Sequence, residues 1–157
     1  MDELDNDDKS ILKILFKDSN LSYRKIAEKL NKATGTISSR VKNLEESGII
    51  KNFGINIDYE KLGFDVTAII ELRISKGKLL EVENQLANDP NVFGVYDITG
   101  VYDAIILLRT RTRAELNIKI KKILKIDYIE RTNTHIVLTT IKEDHSSLDE
   151  LLITKKK

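Results

Sequence analysis

The sequence predicts an α+β protein in which an N-terminal helix-turn-helix domain of winged-helix-like type precedes a C-terminal ferredoxin-like βαββαβ domain. Two observations predict this fold class. Apolar residues recur at helical spacing through residues 5–48, whereas the chain from residue 64 onward alternates strand-like and helix-like segments. A chain of 157 residues, of which 41% are hydrophobic, is long enough for two small packed domains.

The predicted domain boundaries follow these changes of pattern. We expect residues 1–50 to form the helix-turn-helix domain and residues 51–63 an extended linker or wing that ends in a turn. Its apolar residues argue against a flexible linker, which would be rich in Gly and Ser, and they could pack against a second subunit. Residues 64–142 are expected to form the ferredoxin-like domain, and residues 143–157 a short C-terminal tail.

The first predicted helix spans residues 5–17. Asp5 or Asn6 can cap it, and the acidic residues that follow complement the positive end of the helix dipole. The same acidic stretch lacks the central glycine and terminal glutamate of an EF-hand loop, so capping is favoured over a metal site. The apolar stripe of this helix consists of Ile11, Ile14 and Leu15.

The next two predicted helices are short and closely joined. Ser22 is expected to cap the first of them, whose apolar face consists of Tyr23, Ile26, Ala27 and Leu30. Residues 31–33 interrupt the periodicity, and Thr34 is expected to cap the second helix. The second helix buries Ile37, Val41 and Leu44. Gly48 then suits a left-handed helix end, and so short a turn between amphipathic helices predicts a helix-turn-helix.

The outward face of the second helix carries groups that can bind DNA. Its hydroxyls, amide and cations can donate to phosphates or to base edges. The residues are Gly35, Thr36, Ser38, Ser39, Lys42 and Asn43, with Arg40 on the flank of the apolar stripe. Gly35 has no side chain, so the backbone there could approach a phosphate closely. Residues 20–44 hold six basic residues and one acid, which is the electrostatic footprint of phosphate binding.

Other functions compete with DNA binding. The two helices could form a solvated hairpin whose lysines only promote solubility, or a protein-contact domain attached to an assembling or metabolite-sensing domain. The run 29–44 contains no acidic residue, and this absence favours DNA. An enzyme is disfavoured because the sequence has no Gly-rich phosphate loop, no hydrolase elbow and no constellation of catalytic residues.

The second half of the chain follows the order β-α-β-β-α-β of a split βαβ unit. The predicted strands are 64–75, 92–99, 104–108 and 129–141, and the predicted helices are 78–87 and the segment after a capping box at Thr112–Glu115. The first strand alternates, with one face formed by Val66, Ala68, Ile70, Leu72 and Ile74. This topology places the first and third strands at the centre of the sheet, in agreement with their dense aliphatic content.

Composition excludes several other kinds of site. The chain has no cysteine, so disulfides and thiolate metal sites are excluded. No apolar run approaches the ~20 residues needed to span a bilayer, and the acidic N-terminus does not resemble a secretory signal. We therefore expect a cytoplasmic protein without membrane contact. His135 and His145 lack a second ligand at useful spacing, so no metal, no cofactor and no catalytic residue is predicted.

Four segments carry a resemblance to a known family. They are LDNDDKSIL, LSYRKIAEKL, TGTISSRVKNLEESGIIK and ITGVYDAII. Together they resemble the Lrp/AsnC (leucine-responsive/asparagine, or feast–famine) transcription regulators over nearly the whole chain. The resemblance implies homodimers, often assembled into tetramers or octamers, that bind double-stranded DNA and regulate transcription with the transcription machinery as a further partner. It also implies an amino-acid effector bound at an interface between dimers.

The resemblance also assigns site residues. Thr34 to Asn43 would be the recognition segment. For a DNA-binding regulator we expect contacts with the major groove from Ser38, Ser39, Arg40, Lys42 and Asn43, and contacts with phosphates from Ser22, Tyr23, Arg24 and Lys51. The effector site would consist of the loop Gly100, Val101, Tyr102 and Asp103, closed by Thr134, His135 and Ile136. Asp103 could accept the ammonium group of an amino acid, while N–H groups near Gly100 bind its carboxylate. Alternatively, Gly100 only makes the turn and Asp103 caps it.

Overall fold

The computed structural model describes residues 4–143, which form two compact units. The first unit holds residues 4–56, and the second is Ile57–Ile141. The change of unit lies within the predicted connection 51–63. Of the predicted tail 143–157, all but the first residue lies outside the described part of the chain. No helix in the described part is long and apolar enough to cross a membrane.

The first unit contains three amphipathic helices. They are α1 (Asn6–Lys17), α2 (Tyr23–Leu30) and α3 (Thr34–Glu46). Apolar residues that recur every three or four positions place one face of each helix in a shared core. Its buried residues are Ile11, Leu12, Leu15, Ile26, Ala27, Ile37, Val41 and Leu44. The predicted stripes of all three helices are thus confirmed; in α1, Ile14 is partly buried against this core and Leu12 joins its buried residues.

Side-chain oxygens cap the first two helices as predicted. Asp5 Oδ1 accepts the N–H of Asp8 at 2.8 Å, and Ser22 Oγ accepts the N–H of Lys25 at 3.4 Å. Each bond satisfies one of the N–H groups that a helix leaves without a partner at its start. The starts of α1 and α2 are therefore determined locally by the sequence.

The predicted cap of the third helix at Thr34 is wrong. Ala33 is the N-cap residue, and its carbonyl accepts the N–H of Ile37 at 3.2 Å. Thr34 is already helical, so its hydroxyl is not in the position from which a cap bonds the first turn. The start of α3 therefore has no side-chain cap.

The third helix ends at a left-handed glycine, as predicted. Gly48 has φ +73°, a conformation that glycine adopts without steric cost. Its N–H donates to the Glu45 carbonyl at 2.9 Å, and the N–H of Ile50 donates to the Leu44 carbonyl at 2.9 Å. The chain thereby turns back, and Ile49 and Ile50 pack against the three-helix core.

The connection after α3 contains the predicted turn but no wing strand. Residues 51–58 form neither helix nor strand, and residues 59–63 form a turn. Asp58 Oδ1 accepts the N–H of Lys61 at 3.1 Å, and Gly63 closes the turn at φ +80°.

The second unit is a four-stranded antiparallel sheet with two helices. Its elements are β1 (Val66–Ile74), α4 (Leu79–Ala87), β2 (Val92–Asp97), β3 (Ala104–Thr110), α5 (Arg113–Ile123) and β4 (Ile129–Ile136). The strand order is β2-β3-β1-β4, so β1 and β3 are central as predicted. This order confirms the ferredoxin-like βαββαβ fold.

Strand β4 is shorter than predicted and ends at Ile136 rather than Ile141. Ile136 pairs with Ala68, close to the start of β1 at Val66. Little of the partner strand remains beyond this pair, and Leu138 is 93% exposed. The other three strands differ from prediction by one or two residues at an end.

The capping box predicted for α5 is only half formed. Thr112 Oγ1 accepts the N–H of Glu115 at 3.1 Å and is the N-cap. Glu115 Oε2 accepts the N–H of Arg111 at 2.8 Å, not that of Thr112 as a capping box requires. The Glu115 side chain thus holds the backbone of Arg111, the residue before the N-cap.

The two faces of the sheet differ in what covers them. Because side chains alternate along a strand, β1 and β3 each place every second residue under α4 and α5. The buried core there comprises Val66, Ala68, Ile70, Leu72, Ile74, Val82, Leu86, Ala104, Ile106, Leu108, Leu116 and Ile123. On the opposite face Ile69, Ile105 and Leu107 are only half-buried, and no helix of the described unit covers them.

Candidate nucleic-acid interface and effector loop

The predicted DNA-binding residues of α3 lie together on its exposed face. They are Thr34, Gly35, Thr36, Ser38, Ser39, Lys42 and Asn43. The opposite face of the helix packs in the core through Ile37, Val41 and Leu44, so the exposed face has one orientation within its unit. Within residues 4–143, no side-chain hydrogen bond engages the four hydroxyls of this face. They are free to bind an external partner.

The other predicted phosphate-binding residues surround the start of α2. Arg24 is 83% exposed and forms an i,i+4 pair with Glu28 at 3.1 Å, a contact that contributes little in water. The hydroxyl of Ser22 is used by its capping bond, and Tyr23 packs partly into the core. Lys51 is exposed after α3. Arg24 and Lys51 are therefore the accessible cations of this group.

Arg40 does not belong with the exposed residues of α3. Its Nη1 lies 2.7 Å from Asp5 Oδ2 and 2.8 Å from Asp8 Oδ1, and its Nη2 lies 3.5 Å from Asp7 Oδ2. Lys32, in the turn before α3, donates to Asp7 at 2.8 Å. The expectation that Arg40 faces a DNA groove thus requires correction, because its guanidinium is bound to three carboxylates of α1. The sequence analysis assigned Asp5 to the cap of α1 and the acids that follow it to the dipole of that helix, and it did not predict their contact with Arg40.

The shifts in pKa agree with this charge cluster. The N–H of Asp8, followed by the guanidinium of Arg40, lowers the pKa of the Asp5 carboxyl. The carboxylates of Asp8 and Asp5 in turn raise the pKa of Arg40. Both groups are therefore charged at neutral pH.

Gly35 occupies a position where the fold itself does not need a glycine. Its φ is not positive, and a Cβ built on it would meet no atom of the protein within 4 Å. A glycine inside a helix costs about 0.5–1 kcal/mol relative to alanine. The protein itself thus leaves room for a side chain at this position, and the close approach of a phosphate to Gly35 stays a prediction.

The predicted effector loop lies at one end of the sheet. Gly100 has φ +130°, and Asp103 Oδ2 accepts the N–H of Ile74 at 2.8 Å. Arg73 Nη1 donates to the carbonyl of Val101 at 2.6 Å, which ties the loop to the end of β1. The Asp103 side chain therefore attaches the loop to β1, whereas the alternative that we weighed was a cap of the turn at Gly100. Its other carboxylate oxygen makes no hydrogen bond to the described residues, and Val101 is 72% exposed.

The structure does not bring the second effector segment beside this loop. Thr134, His135 and Ile136 pair with Ile70, Ile69 and Ala68 on the edge of β1 that faces away from β3. The loop joins β2 to β3, so two strand spacings, together about 10 Å, separate the segments across the sheet.

A polar cluster on the open sheet face was not found from the sequence. Asn133 Nδ2 donates to Glu71 Oε2 at 2.7 Å, and His135 Nε2 lies 3.2 Å from the same oxygen. Hydrogen bonds from His135 and then Asn133 lower the pKa of Glu71. The register that opposes Glu71 to Asn133 brings the three side chains together, and one sequence does not reveal such a register. His145 lies outside the described residues.

These features together define the class of the protein. A three-helix unit presents a polar, basic helix face, and a separate ferredoxin-like unit follows it. This combination is that of a DNA-binding transcriptional regulator with an attached regulatory domain. Residues 4–51 match the family described as winged helix-turn-helix DNA-binding. Residues 67–147 match the Lrp/AsnC ligand binding domain, and the chain belongs to the Lrp/AsnC family of transcriptional regulators.

Individual relatives agree with this assignment. An uncharacterized HTH-type transcriptional regulator of Pyrococcus horikoshii is 49% identical over 142 residues, covering 90% of this chain and 96% of the relative. The structure of Escherichia coli AsnC has a TM-score of 0.85 at 29% identity and covers 91% of this chain and 97% of its own. A Neisseria meningitidis transcriptional regulator solved as an L-Met complex has a TM-score of 0.82 at 21% identity, with coverages of 92% and 96%. These relatives are transcriptional regulators, not enzymes.

We predict that Gly35→Ala stabilises the protein but weakens DNA binding. The methyl group has room in the free protein and improves helix propensity, by up to about 1 kcal/mol. In the complex it would stand between the α3 backbone and a phosphate. Thermal unfolding and titration of a selected DNA fragment measure the two effects.

Gly48→Ala is the matched control for the effect on stability. It places an alanine at φ +73°, a conformation that costs energy for a residue with a side chain, so it should lower stability where Gly35→Ala raises it. Unchanged DNA affinity in Gly35→Ala would show that no phosphate approaches this position.

Proposed function

We propose that this regulator reads a specific operator through the exposed face of α3, acts as a homodimer or larger assembly, and responds to an amino acid. The observation that carries the proposal is the uniform exposure of the hydroxyl, amide and lysine groups on one face of α3. A DNA-binding regulator acts where the chromosome lies, so we also place it in the cytoplasm.

In the proposed complex, α3 enters the major groove, as the second helix of a helix-turn-helix does. Ser38, Ser39 and Asn43 are the candidates for contacts with base edges, because hydroxyls and amides pair with them directly. Lys42 has only a weak partner, Glu46 at 3.5 Å, so it can bind a phosphate. Arg24 and Lys51 add positive charge beside the groove.

The open face of the sheet supports a homodimer. Half-buried Ile69, Ile105 and Leu107 lie on the two central strands, and Phe93 and Tyr96 of β2 are 41% and 54% exposed. Apolar residues grouped on a face that no helix covers mark an association surface. A two-fold dimer would require a palindromic operator whose half-sites lie about one or more helical turns apart.

An amino-acid effector is supported by the match to a ligand binding domain and by the loop at Asp103. One carboxylate oxygen of Asp103 holds the loop to Ile74, and the other is available for an ammonium group. The relative from Neisseria meningitidis was solved with L-Met, which makes methionine the first amino acid to test here. The segments Gly100–Asp103 and Thr134–Ile136 would then meet across an interface between subunits.

DNA recognition is tested by selecting genomic fragments with the purified protein and titrating the selected site at several salt concentrations. We expect a palindromic site, and we expect Lys42→Ala to reduce the slope of log affinity against log salt by about one. Ser39→Ala or Asn43→Ala should weaken specific binding by about 1–3 kcal/mol if the residue reads a base.

Lys76→Ala is the control for Lys42→Ala, because it removes an exposed lysine from the other unit and should leave the slope unchanged. Retention of all genomic fragments equally would contradict operator recognition.

The homodimer is tested by Leu107→Lys. A lysine on the open sheet face should dissociate the assembly without unfolding it, because Leu107 is only half-buried in one subunit. Sedimentation velocity measures the change in mass. Leu80→Lys is the control, since Leu80 is 71% exposed on α4 and should tolerate the substitution. A variant that keeps the wild-type mass would place the interface elsewhere.

The effector site is tested by calorimetric titration of single amino acids, beginning with methionine, into wild-type protein and Asp103→Asn. Asparagine can still accept the bond from Ile74 but lacks the charge that an ammonium group needs. We expect at least about a tenfold loss of affinity. Asp97→Asn, an exposed acid on β2, should bind normally. If no amino acid binds the wild type, the effector assignment is wrong.

A further inference from the structure

Arg40 is the one cation of α3 that does not lie on its exposed face. Arg40 follows the exposed serines in sequence, yet its side chain is only 28% exposed. Its three carboxylate partners all come from the first turn of α1 or its cap, and the side chain of Asp8 is 20% exposed. The contact therefore joins the first helix of the unit to the middle of the third.

The geometry of this contact is directional, whereas that of the core is not. Apolar packing of α1 against α3 sets how closely the helices approach but constrains their relative rotation less strongly. One guanidinium nitrogen, Nη1, donates to Asp5 at 2.7 Å and to Asp8 at 2.8 Å, so two carboxylates together determine its position. Lys32 adds a second attachment through Asp7 at 2.8 Å. Helix α1 thus holds α3 at the turn before it and at its middle.

Asp5 links this contact to the start of α1. Its Oδ1 accepts the N–H of Asp8 and caps the helix, while its Oδ2 accepts Arg40 Nη1 at 2.7 Å. Since Asp8 also bonds Arg40, the cap, the first turn and the guanidinium form one connected group. Displacing any of its members alters the position of the others.

We propose that Arg40 is a positioning residue for DNA recognition and not a base-reading residue. Through the carboxylates of Asp5 and Asp8 it fixes the angle at which α3 presents its exposed face to the operator. The proposal rests on the proposed role of α3 in reading DNA. Because the charge of Arg40 is already neutralised, it contributes no counterion release on binding.

The critical test is Asp8→Asn. This variant removes a negative charge beside the DNA-binding helix, so simple electrostatics predicts tighter binding to all DNA. If Arg40 instead read DNA directly, weakening its partner would release it and also tighten binding. We expect the opposite for the operator, a loss of about tenfold, while binding to unrelated DNA is unchanged or tighter. The ratio of specific to non-specific affinity therefore falls.

Arg40→Gln and the double variant Arg40→Gln/Asp8→Asn complete the cycle. We expect Arg40→Gln to lose operator affinity with an unchanged salt slope, and we expect the double variant to bind no more weakly than Arg40→Gln. Glu28→Gln is the matched control: it removes an acid of the same unit that pairs with the exposed Arg24 and not with Arg40, and it should keep the specificity ratio. Thermal unfolding of each full-length variant verifies that the first unit is folded.

If Arg40→Gln fails to fold, Arg40→Lys replaces it in the affinity cycle, because lysine keeps the charge on a shorter side chain without the guanidinium nitrogens. The ratio of specific to non-specific affinity of Asp8→Asn then decides the proposal. Tighter operator binding by Asp8→Asn, or a salt slope reduced by about one in the Arg40 variant, would overturn the proposal and make Arg40 a DNA contact. These outcomes are distinct from failure of DNA recognition as such, in which the wild-type protein selects no site.

Discussion

The strict alternation along β1 is the constraint on which the second unit depends. Strand β1 is bonded on both edges, to β3 and to β4, and every second residue from Val66 to Ile74 is buried under the helices. A shift of one residue would exchange the two faces completely. The same alternation therefore produces the core on one side and the open aliphatic face on the other. It also places Ile74 where its N–H can hold Asp103.

The first unit shows a comparable division of one helix into faces. On α3, Ile37, Val41 and Leu44 bury in the core, Arg40 joins the carboxylates of α1, and the remaining polar residues face solvent. The charged contact costs desolvation of partly exposed groups, so it adds little to stability by itself. Its contribution is to orientation, which apolar packing alone constrains weakly. Residue type alone does not distinguish these roles, because Arg40 and Lys42 are both cations of α3 and only Arg40 contacts the acids of α1.

Sequence reasoning predicted the fold nearly completely but the site only in part. Periodicity and capping are local, so the helices, the strand order and the cap at Ser22 could be read from the chain. Three features depend on partners distant in sequence and were missed. Arg40 meets Asp5 across 35 positions, Glu71 meets His135 across 64, and β4 ends where little of β1 remains to pair with it. The misplaced cap at Thr34 was a local error, in which a suitable residue type lay one position too late.

The division of α3 into faces has an evolutionary consequence. Ser38, Ser39 and Asn43 are exposed and lie outside the core, so their replacement would leave the fold unchanged and, in the recognition that we propose, would alter the operator that is read. After gene duplication, two copies could diverge toward different operators through a few substitutions on this face alone. The carboxylates of α1 and the buried stripe of α3 would meanwhile remain under a separate constraint. Exposed positions of α3 can thus change while the buried positions beside them stay the same.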